Sequence, residues 1–267
     1  MYNVSEVDMS NFSISINYGF FMDDDDRFRL VKDAGFSAVG LWYGKETEDF
    51  RIPLDKQFEL IKKYGLKVDY LHAPFYYHKQ LRDSDKAVRE DSIKEHKRWI
   101  DICVKQGIDK LVVHLNRLTL DEYVTDTLID SLKKINEYAL KCKVKLAVEN
   151  IGRPYDLQQV FDKIDNIYFC FDSSHANLVG DSKGDILNKY ISNLACLHLS
   201  DNEGEKDRHW IFGKGNVDFV AINNILKKGG YTGRINAEVK ASEEFSSPSE
   251  FLSAVLKQME LYFPDFK

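Results

Sequence analysis

The chain has 267 residues, and its 37 lysines and arginines against 43 aspartates and glutamates give a formal net charge of −6. Hydrophobic residues make up 43% and charged residues 30%, as in ordinary globular domains, and no stretch approaches the ~20 apolar residues of a membrane span. The acidic balance disfavours nucleic acid as a partner, because a diffuse positive field supplies most of the non-specific affinity for it.

The first dozen residues contain neither a basic nor an apolar segment, so no secretory signal is predicted and a cytoplasmic protein without membrane attachment is expected. No two cysteines form a CxxC pair, and each lies in an apolar segment, which favours buried thiols in a reducing compartment over disulfides. The cysteines are Cys103, Cys142, Cys170 and Cys196.

Short β-rich runs alternate with longer amphipathic segments along the whole chain. The predicted strands are Phe12–Asn17, Ala38–Tyr43, Lys67–His72, Lys110–Leu115, Lys145–Asn150, Ile167–Asp172, Ala195–Leu199 and Arg234–Val239. Between them apolar residues recur at three- and four-residue spacing, as at Leu54, Phe58 and Ile61, which predicts helices. Glycines that end the predicted helices and prolines that begin them agree with this division: Gly35, Gly65, Gly107, Pro53, Pro154 and Pro248.

Four consecutive aspartates, Asp23–Asp26, open the first predicted helix. A metal site is one interpretation of this run. A solvated helix N-terminus, which favours negative charge, is the preferred one.

Eight strands that are each followed by a helix, with no linker of low complexity, predict one α/β domain over residues 1–267. A closed eight-stranded barrel and an open doubly wound sheet are the two parallel architectures that compete. The barrel's usual length of ~250 residues matches the chain. No GxGxxG follows the first strand, so the nucleotide-binding form of the open sheet lacks its main signal. A single-domain (β/α)8 barrel is therefore predicted.

Polar side chains that bind metals collect where the predicted strands end. Five of the seven histidines and four carboxylates lie at these ends or in the loops just after them: His72, His114, His175, His198, His209, Glu149, Asp172, Asp207 and Glu238. In a parallel barrel all carboxyl ends of the strands meet at one rim, which we call the mouth, and chemistry is carried there. His78, in the loop after the third strand, and His96, in a helix, are interpreted as surface or hydrogen-bonded residues.

Taken singly, each of these residues has a structural interpretation, since a histidine at a strand end is often hydrogen-bonded in the core and a buried glutamate is usually paired with a basic residue. Arginine and lysine are, however, missing beside Glu149, Asp172 and His198. So many imidazoles and carboxylates at one rim require a cation. Mixed nitrogen and oxygen ligands suit zinc, manganese, cobalt or iron better than magnesium or calcium.

Seven short motifs in order along the chain resemble one superfamily, the xylose isomerase-like TIM barrels, which include sugar isomerases, epimerases and endonuclease IV-type abasic-site nucleases. The motifs are HAPF at 72–75, VVH at 112–114, VEN at 148–150, DSSHAN at 172–177, HLSDN at 198–202, DRHWIFGKG at 207–215 and AEV at 237–239.

The resemblance implies ligand sets that differ between the branches. In the epimerases four residues matching Glu149, Asp172, His198 and Glu238 hold one divalent metal. In the endonuclease branch the pattern implies three zinc ions, one of which would be held by this same set of four. The other two would be held by His72, His114 and the bridging Glu149, and by His175, Asp207 and His209. One to three ions of manganese, zinc or cobalt are therefore expected.

The preferred function is that of a metal-dependent sugar, sugar-phosphate or polyol isomerase or epimerase. A bound metal would stabilise an enediolate, while Glu149 and Glu238 would act as the acid and base on opposite faces of the sugar carbon. With one ion, His175 would bind substrate oxygens. Apolar walls and further substrate contacts are assigned to Trp42, Tyr43, Phe75, Tyr76 and Arg208, although barrel-to-helix packing is an equal interpretation for each aromatic residue.

The alternative function is phosphodiester hydrolysis of the abasic-site endonuclease type, with a metal-bridged hydroxide as nucleophile. The net charge and the scattered basic residues, Lys45, Arg117, Arg153, Arg208 and Lys214, argue against DNA as the substrate. A third class, a metal-bearing barrel with only a binding role, is disfavoured by the full ligand set. Barrels of this group often form dimers or tetramers, so a homo-oligomer is also implied.

Overall fold

Eight parallel strands form a single sheet in the computed structural model, which describes residues 11–42, 53–74, 77–115 and 124–267. The strands are β1 (Phe12–Ser15), β2 (Ala38–Trp42), β3 (Lys67–His72), β4 (Lys110–Val113), β5 (Lys145–Glu149), β6 (Tyr168–Asp172), β7 (Leu194–His198) and β8 (Ile235–Ala237). Neighbours in the sheet follow chain order from β1 to β7, and β8 pairs with β1. Every predicted strand is present, with ends that differ by no more than two residues.

The barrel closes between β7 and β8 through the residue that follows β7. Leu199 donates its backbone N–H to the carbonyl of Asn236 at 3.0 Å and accepts from the N–H of Glu238 at 2.9 Å. A parallel bridge therefore links Leu199 to Ala237. The predicted (β/α)8 barrel is confirmed.

Helices cover the outer face of the sheet, where strand residues such as Phe12, Val39 and Phe169 are fully buried. The helices are α1 (Asp24–Ala34), α2 (Leu54–Lys63), α3 (Tyr77–Leu81), α4 (Lys86–Gln106), α5 (Asp126–Lys141), α6 (Pro154–Lys163), α7 (Ser173–Leu178), α8 (Asp185–Tyr190), α9 (Phe219–Lys228) and α10 (Pro248–Tyr262). Two short 3₁₀ helices cover Ile191–Asn193 and Pro264–Phe266. Two strands are followed by two helices each, since α3 precedes α4 and α7 precedes α8. His78, predicted in a loop, lies in α3.

The predicted ends of the helices have the expected local chemistry. Asp23 caps α1 by accepting the N–H of Asp25 at 2.8 Å, and the next three aspartates fill the first turn, where negative charge is favoured. Gly35 ends the same helix at φ 106°, a conformation that costs a side-chain-bearing residue free energy. The aspartate run is therefore a helix N-terminus in the structure.

Polar side chains fill the amino-terminal end of the barrel interior. A bulge in the pairing of β2 with β3 leaves Asp69 without a partner residue. Its carboxylate accepts hydrogen bonds from Ser13 Oγ at 2.7 Å and from Lys110 Nζ at 2.8 Å, all three residues being buried. The buried charges at this end thus compensate one another, whereas within the described ranges the carboxylates at the mouth pair with histidines and not with lysine or arginine.

Five residues that the sequence analysis names lie outside the described residues: Tyr43, Lys45, Phe75, Tyr76 and Arg117. The four cysteines are unbridged, with Cys142 half-buried and the others buried. Within the described ranges, no helix combines the length and apolar character that a membrane crossing requires.

Candidate metal centre and active site

The mouth of the barrel receives its polar side chains from the last residues of successive strands. His72 ends β3, Glu149 ends β5, Asp172 ends β6 and His198 ends β7, while Glu238 follows β8 directly. All of these strands run in the same direction, so residues separated by more than 160 positions in the chain reach one rim.

Glu149 lies at the centre of the cluster. Its Oε2 atom is 3.2 Å from His72 Nε2, 3.0 Å from His114 Nε2 and 3.3 Å from His198 Nδ1. The other oxygen, Oε1, is 3.0 Å from His175 Nδ1. One buried carboxylate therefore faces four imidazoles, and the Nε2 atoms of His72 and His114 are themselves only 3.2 Å apart.

The remaining carboxylates are those of Glu238, which follows β8, and Asp172, which ends β6. Glu238 Oε2 is 3.0 Å from His198 Nδ1, so this single nitrogen is close to both Glu149 and Glu238. Asp172 Oδ2 is 3.7 Å from His175 Nδ1. The exposed fraction of the side chain is 2% for Glu149 and 29% for Glu238, so of the two glutamates Glu238 is the one open to a ligand arriving from solvent.

Buried atoms of this cluster fit a divalent cation. Asp172 Oδ2, His175 Nδ1 and both ring nitrogens of His198 are buried and make no hydrogen bond, although the two Nδ1 atoms lie close to carboxylate oxygens. Leaving such atoms unsatisfied costs about 1–3 kcal/mol each. Ligand atoms lie within 4.8 Å of one another in three groups of described residues: His72 with Glu149 and His198, Glu149 with Asp172 and His175, and Asp172 with His198 and Glu238. A cation of the nitrogen- and oxygen-binding type, held by Asp172, Glu238 and one ring nitrogen of His198, would satisfy part of this set.

Backbone carbonyls fix the tautomers of two histidines in the form that a metal needs. His72 Nδ1 lies 2.6 Å from the carbonyl oxygen of Ala73, and His209 Nδ1 lies 3.0 Å from that of Glu238. A carbonyl only accepts, so Nδ1 carries the proton in both rings and Nε2 is directed at the carboxylates. This arrangement, with one ring nitrogen held by the protein, is typical of metal-binding histidines.

Shifts in the pKa values of the clustered residues show that the carboxylates favour positive charge beside them. Burial works to lower the pKa of His198, but the carboxylates of Glu238 and Glu149 outweigh it and raise that pKa well above its usual value. Burial works to raise the pKa of Glu238, but the facing His198 holds it down at about 2. The pKa of Asp172 is raised to about 7 by burial, which the neighbouring Glu149 reinforces. The carboxylates of the mouth thus favour positive charge beside them, which a divalent cation can supply.

A second group extends the cluster toward the loop after β7. Asp207 Oδ2 is 3.1 Å from His209 Nε2 and 3.6 Å from His175 Nε2, and its Oδ1 accepts a hydrogen bond from Ser174 Oγ at 2.7 Å. Burial works to lower the pKa of His209, but the carboxylate of Asp207 outweighs it and raises that pKa to about 9. All nine predicted ligand residues thus lie in one connected cluster.

The residues predicted to bind substrate are more dispersed. Trp42 ends β2 and packs edge-on near His72, with ring centroids 6.5 Å apart. The exposed guanidinium of Arg208 pairs with Glu203 at 2.7 Å and lies over the indole of Trp210. His96, outside the mouth, is buried and lies 2.8 Å from the carbonyl of Ser92. It is thus one of the hydrogen-bonded residues that the sequence predicts.

Sequence reasoning did not identify the polar residues that hold the ligands in place. Asn150 and Ser173 each follow a predicted ligand directly and form hydrogen bonds with Asp172 in β6 and with Ser200 after β7, respectively. Tyr70 lies in the barrel beneath His198. The one available signal was the placement of polar residues immediately after Glu149 and Asp172, where a buried strand has just ended.

Comparisons with known proteins agree with this fold. An inosose isomerase from Bacillus licheniformis is 25% identical over 191 residues, which cover 64% of this chain and 68% of that protein. The crystal structure of a D-tagatose 3-epimerase-like protein aligns with a TM-score of 0.76 at 22% identity, covering 95% of this chain and 98% of that one. The structure of an L-ribulose 3-epimerase aligns with a TM-score of 0.75 at 18% identity, covering 95% and 94%.

The family described as xylose isomerase-like TIM barrel matches residues 28–257, which extend from α1 to α10 and include every strand end of the mouth after β1. The resemblance seen in the seven sequence motifs is therefore confirmed, and the protein belongs to the xylose isomerase-like TIM barrel family.

Proposed function

We propose that the protein is a metal-dependent isomerase or epimerase of a sugar or a polyol derivative. The observation that carries the proposal is the approach of both Glu149 and Glu238 to His198 Nδ1, at 3.3 and 3.0 Å. Their strands, β5 and β8, are three apart around the wall of the barrel. Inversion at a single carbon needs one group that removes a proton and a second that returns one, and two carboxylates from different parts of the wall meet at this site.

The ion would be held by Glu149, Asp172, His198 and Glu238, each of which directs a carboxylate oxygen or ring nitrogen into the cluster. When bound, it would supply a Lewis acid that polarises the substrate carbonyl and stabilises the negative charge of an enediolate. Manganese, zinc and cobalt are all compatible with this mixed ligand set.

The chain's own residues would move the proton. One of Glu149 and Glu238 removes the proton from the carbon beside the carbonyl, and the other returns a proton to the opposite face. Glu238, with the more exposed side chain, is reached first by a substrate entering from solvent. His175 Nδ1 lies 3.0 Å from Glu149 Oε1, and in the form with one ion its ring would bind substrate oxygens.

The names of related proteins support this chemistry. An inosose isomerase matches the chain in sequence, and an L-ribulose 3-epimerase and a D-tagatose 3-epimerase-like protein match it in fold. We infer from these names a small cyclic or open-chain polyhydroxy ketone as the substrate class.

A second candidate function is phosphodiester hydrolysis. The observation that favours it is the completeness of the additional sets, with His72 and His114 both directed at Glu149 Oε2 and with Asp207 between His175 and His209. These sets suit two further ions, and several neighbouring ions are typical of enzymes that cleave phosphodiesters.

One experiment separates the two functions. Protein purified without chelator is analysed for metal stoichiometry and then assayed on a panel of ketoses and inososes and, in parallel, on a duplex with an abasic site. Conversion of a ketone together with one bound ion supports the isomerase. Incision of the duplex at nanomolar binding, with three ions and no ketone conversion, overturns it.

A further inference from the structure

The side chain of Asn150 continues the β5–β6 hydrogen-bond ladder beyond its last backbone pair. That last pair joins Glu149 to Cys170. One step further on, Asn150 Oδ1 accepts the backbone N–H of Asp172 at 2.6 Å, and Asn150 Nδ2 donates to the carbonyl of Asp172 at 2.8 Å. The carboxamide therefore supplies one acceptor and one donor, as the backbone of a strand residue would.

The same device recurs at the next pair of strands. Ser173 Oγ donates to the carbonyl of Ser200 at 2.7 Å and accepts the N–H of Ser200 at 3.0 Å. This clamp lies just beyond the pairing of Asp172 with His198. Each of these two side chains thus follows a candidate ligand directly. Asn150 fixes the backbone of Asp172 at the end of β6, and Ser173 fixes that of Ser200, two residues after β7.

The clamp on Asp172 leaves this residue little freedom. Asp172 is completely buried, so water cannot replace the two bonds from Asn150. Its Oδ1 atom is occupied by the backbone N–H of His175 at 2.7 Å. Only Oδ2 remains, and this atom is buried without a hydrogen bond. Neighbouring groups thus hold both the backbone of Asp172 and its Oδ1 atom. The direction of Oδ2 follows from these two constraints.

We propose that Asn150 is a positioning residue for the metal centre, which fixes Asp172 relative to Glu149 so that both carboxylates direct an oxygen at the same ion. The inference rests on the proposed function only in requiring a divalent ion at this site. Groups that orient metal ligands typically contribute 10–100-fold to metal affinity.

The residue type is constrained by this task. Aspartate would place a second acceptor against the carbonyl of Asp172 and add negative charge beside it. Alanine would leave the N–H and the carbonyl of a buried residue without partners. Serine has a side chain one atom shorter than asparagine, so its hydroxyl would keep at most part of the clamp at this position.

The test compares Asn150→Ala and Asn150→Ser with Asn136→Ala in the full chain. Asn136 is a buried asparagine on α5 whose Nδ2 donates to the carbonyl of Asp165 at 3.1 Å, so its loss also deletes a buried hydrogen bond but away from the mouth. Mn²⁺ affinity is measured by calorimetry, the bound ion by its electron paramagnetic resonance spectrum, and stability by urea unfolding.

We expect Asn150→Ala to weaken Mn²⁺ binding about 10–100-fold and to alter the resonance spectrum, with Asn150→Ser in between. Asn136→Ala should lose stability and keep both the affinity and the spectrum of the wild type. The serine variant, which retains part of the clamp, covers the case in which the alanine variant does not fold.

The outcomes separate the inference from the proposed function. Mn²⁺ affinities of the Asn150 variants equal to that of Asn136→Ala overturn the inference. A wild-type protein that binds Mn²⁺ but converts no ketone overturns the proposed reaction and leaves the inference standing. A wild-type protein that binds no divalent ion overturns both.

Discussion

The ring of Tyr70 lies against the imidazole of His198 inside the barrel, with ring centroids 4.7 Å apart. Its hydroxyl is 2.7 Å from Ser15 Oγ and donates to Asn236 Oδ1 at 3.1 Å, which anchors the ring from below. Tyr70 fits only because residue 40 is glycine, since a Cβ atom there would lie 2.3 Å from the Tyr70 hydroxyl oxygen. The position of a proposed metal ligand on β7 thus depends on a glycine on β2, three strand pairs away around the barrel.

Gly40→Ala tests this dependence. The added methyl group must displace the Tyr70 ring, and overpacking of a buried site typically costs about 1–3 kcal/mol. We expect a lower urea midpoint and weaker Mn²⁺ binding, because His198 loses its support. Tyr70→Phe is the control, since it keeps the ring and should lower stability without reducing Mn²⁺ affinity. Wild-type stability of Gly40→Ala would contradict the close packing described for Gly40.

Replacing Glu238 with glutamine tests its proton-transfer role. The amide has nearly the same shape and keeps an oxygen for the ion, but it cannot accept the substrate proton. Turnover of the active ketone should fall by about 10²–10⁴-fold, while binding of the sugar changes little. Kinetics and sugar titration measure the two effects. Glu244→Gln, at an exposed residue paired with Lys214, is the matched control. Unchanged turnover in Glu238→Gln refutes the role.

Removal of the ion should lower both activity and stability. Chelation leaves the carboxylates of the mouth to be neutralised by protons alone, and a ligand present at 100 times its dissociation constant stabilises a protein by about 2.7 kcal/mol. We expect chelator to abolish turnover and added Mn²⁺ to restore it with a rise in melting temperature. Asp172→Asn, which can still accept the N–H of His175, should show a smaller rise. A wild-type melting temperature independent of Mn²⁺ would be inconsistent with the centre.

The pH dependence of stability should contain a contribution from His96, away from the mouth. Burial lowers its pKa from 6.5 to about 4, so the folded protein holds it neutral. The unfolded chain binds a proton at higher pH than the folded chain does. His96 therefore contributes its full stabilisation above pH 6.5 and loses it progressively as the pH falls toward 4, by about 3 kcal/mol.

His96→Asn removes this titration while keeping an N–H near the position of Nδ1. Urea unfolding between pH 7 and 4 should show a shallower loss of stability for the variant than for the wild type, although its stability at pH 7 is lower. Parallel curves for the two proteins would show that the histidine does not titrate in this range.

The sequence predicts the barrel well because its signals are local. Each signal can be recognised from a few neighbouring residues: a β-rich run, a glycine with positive φ such as Gly35, or a proline at a helix start such as Pro154. Convergence of the ligands followed from topology, since the carboxyl ends of parallel strands share one rim. Glu149, Asp172, His198 and Glu238 could therefore be grouped without coordinates.

The contacts that support these residues could not be predicted, because they join positions far apart in the chain. The hydroxyl of Tyr70 bonds Asn236 across the barrel. Asp69 lies in a bulge that no local sequence pattern predicts. Arg208, assigned to substrate from its motif, pairs instead with Glu203 in the structure, and its role toward a substrate remains a prediction. Short helices such as α7 could not be predicted either, because six residues show too little periodicity.

The loop after β7 is fastened at both ends by one buried side chain. The carboxylate of Asp201 accepts the N–H groups of Asn202, Gly215 and Val217, and its backbone pairs with Trp210. The intervening segment carries Asp207 and His209. The hydrogen bonds of Asp201 involve neither of these two residues, so substitution of Asp207 or His209 would leave both ends of the segment attached.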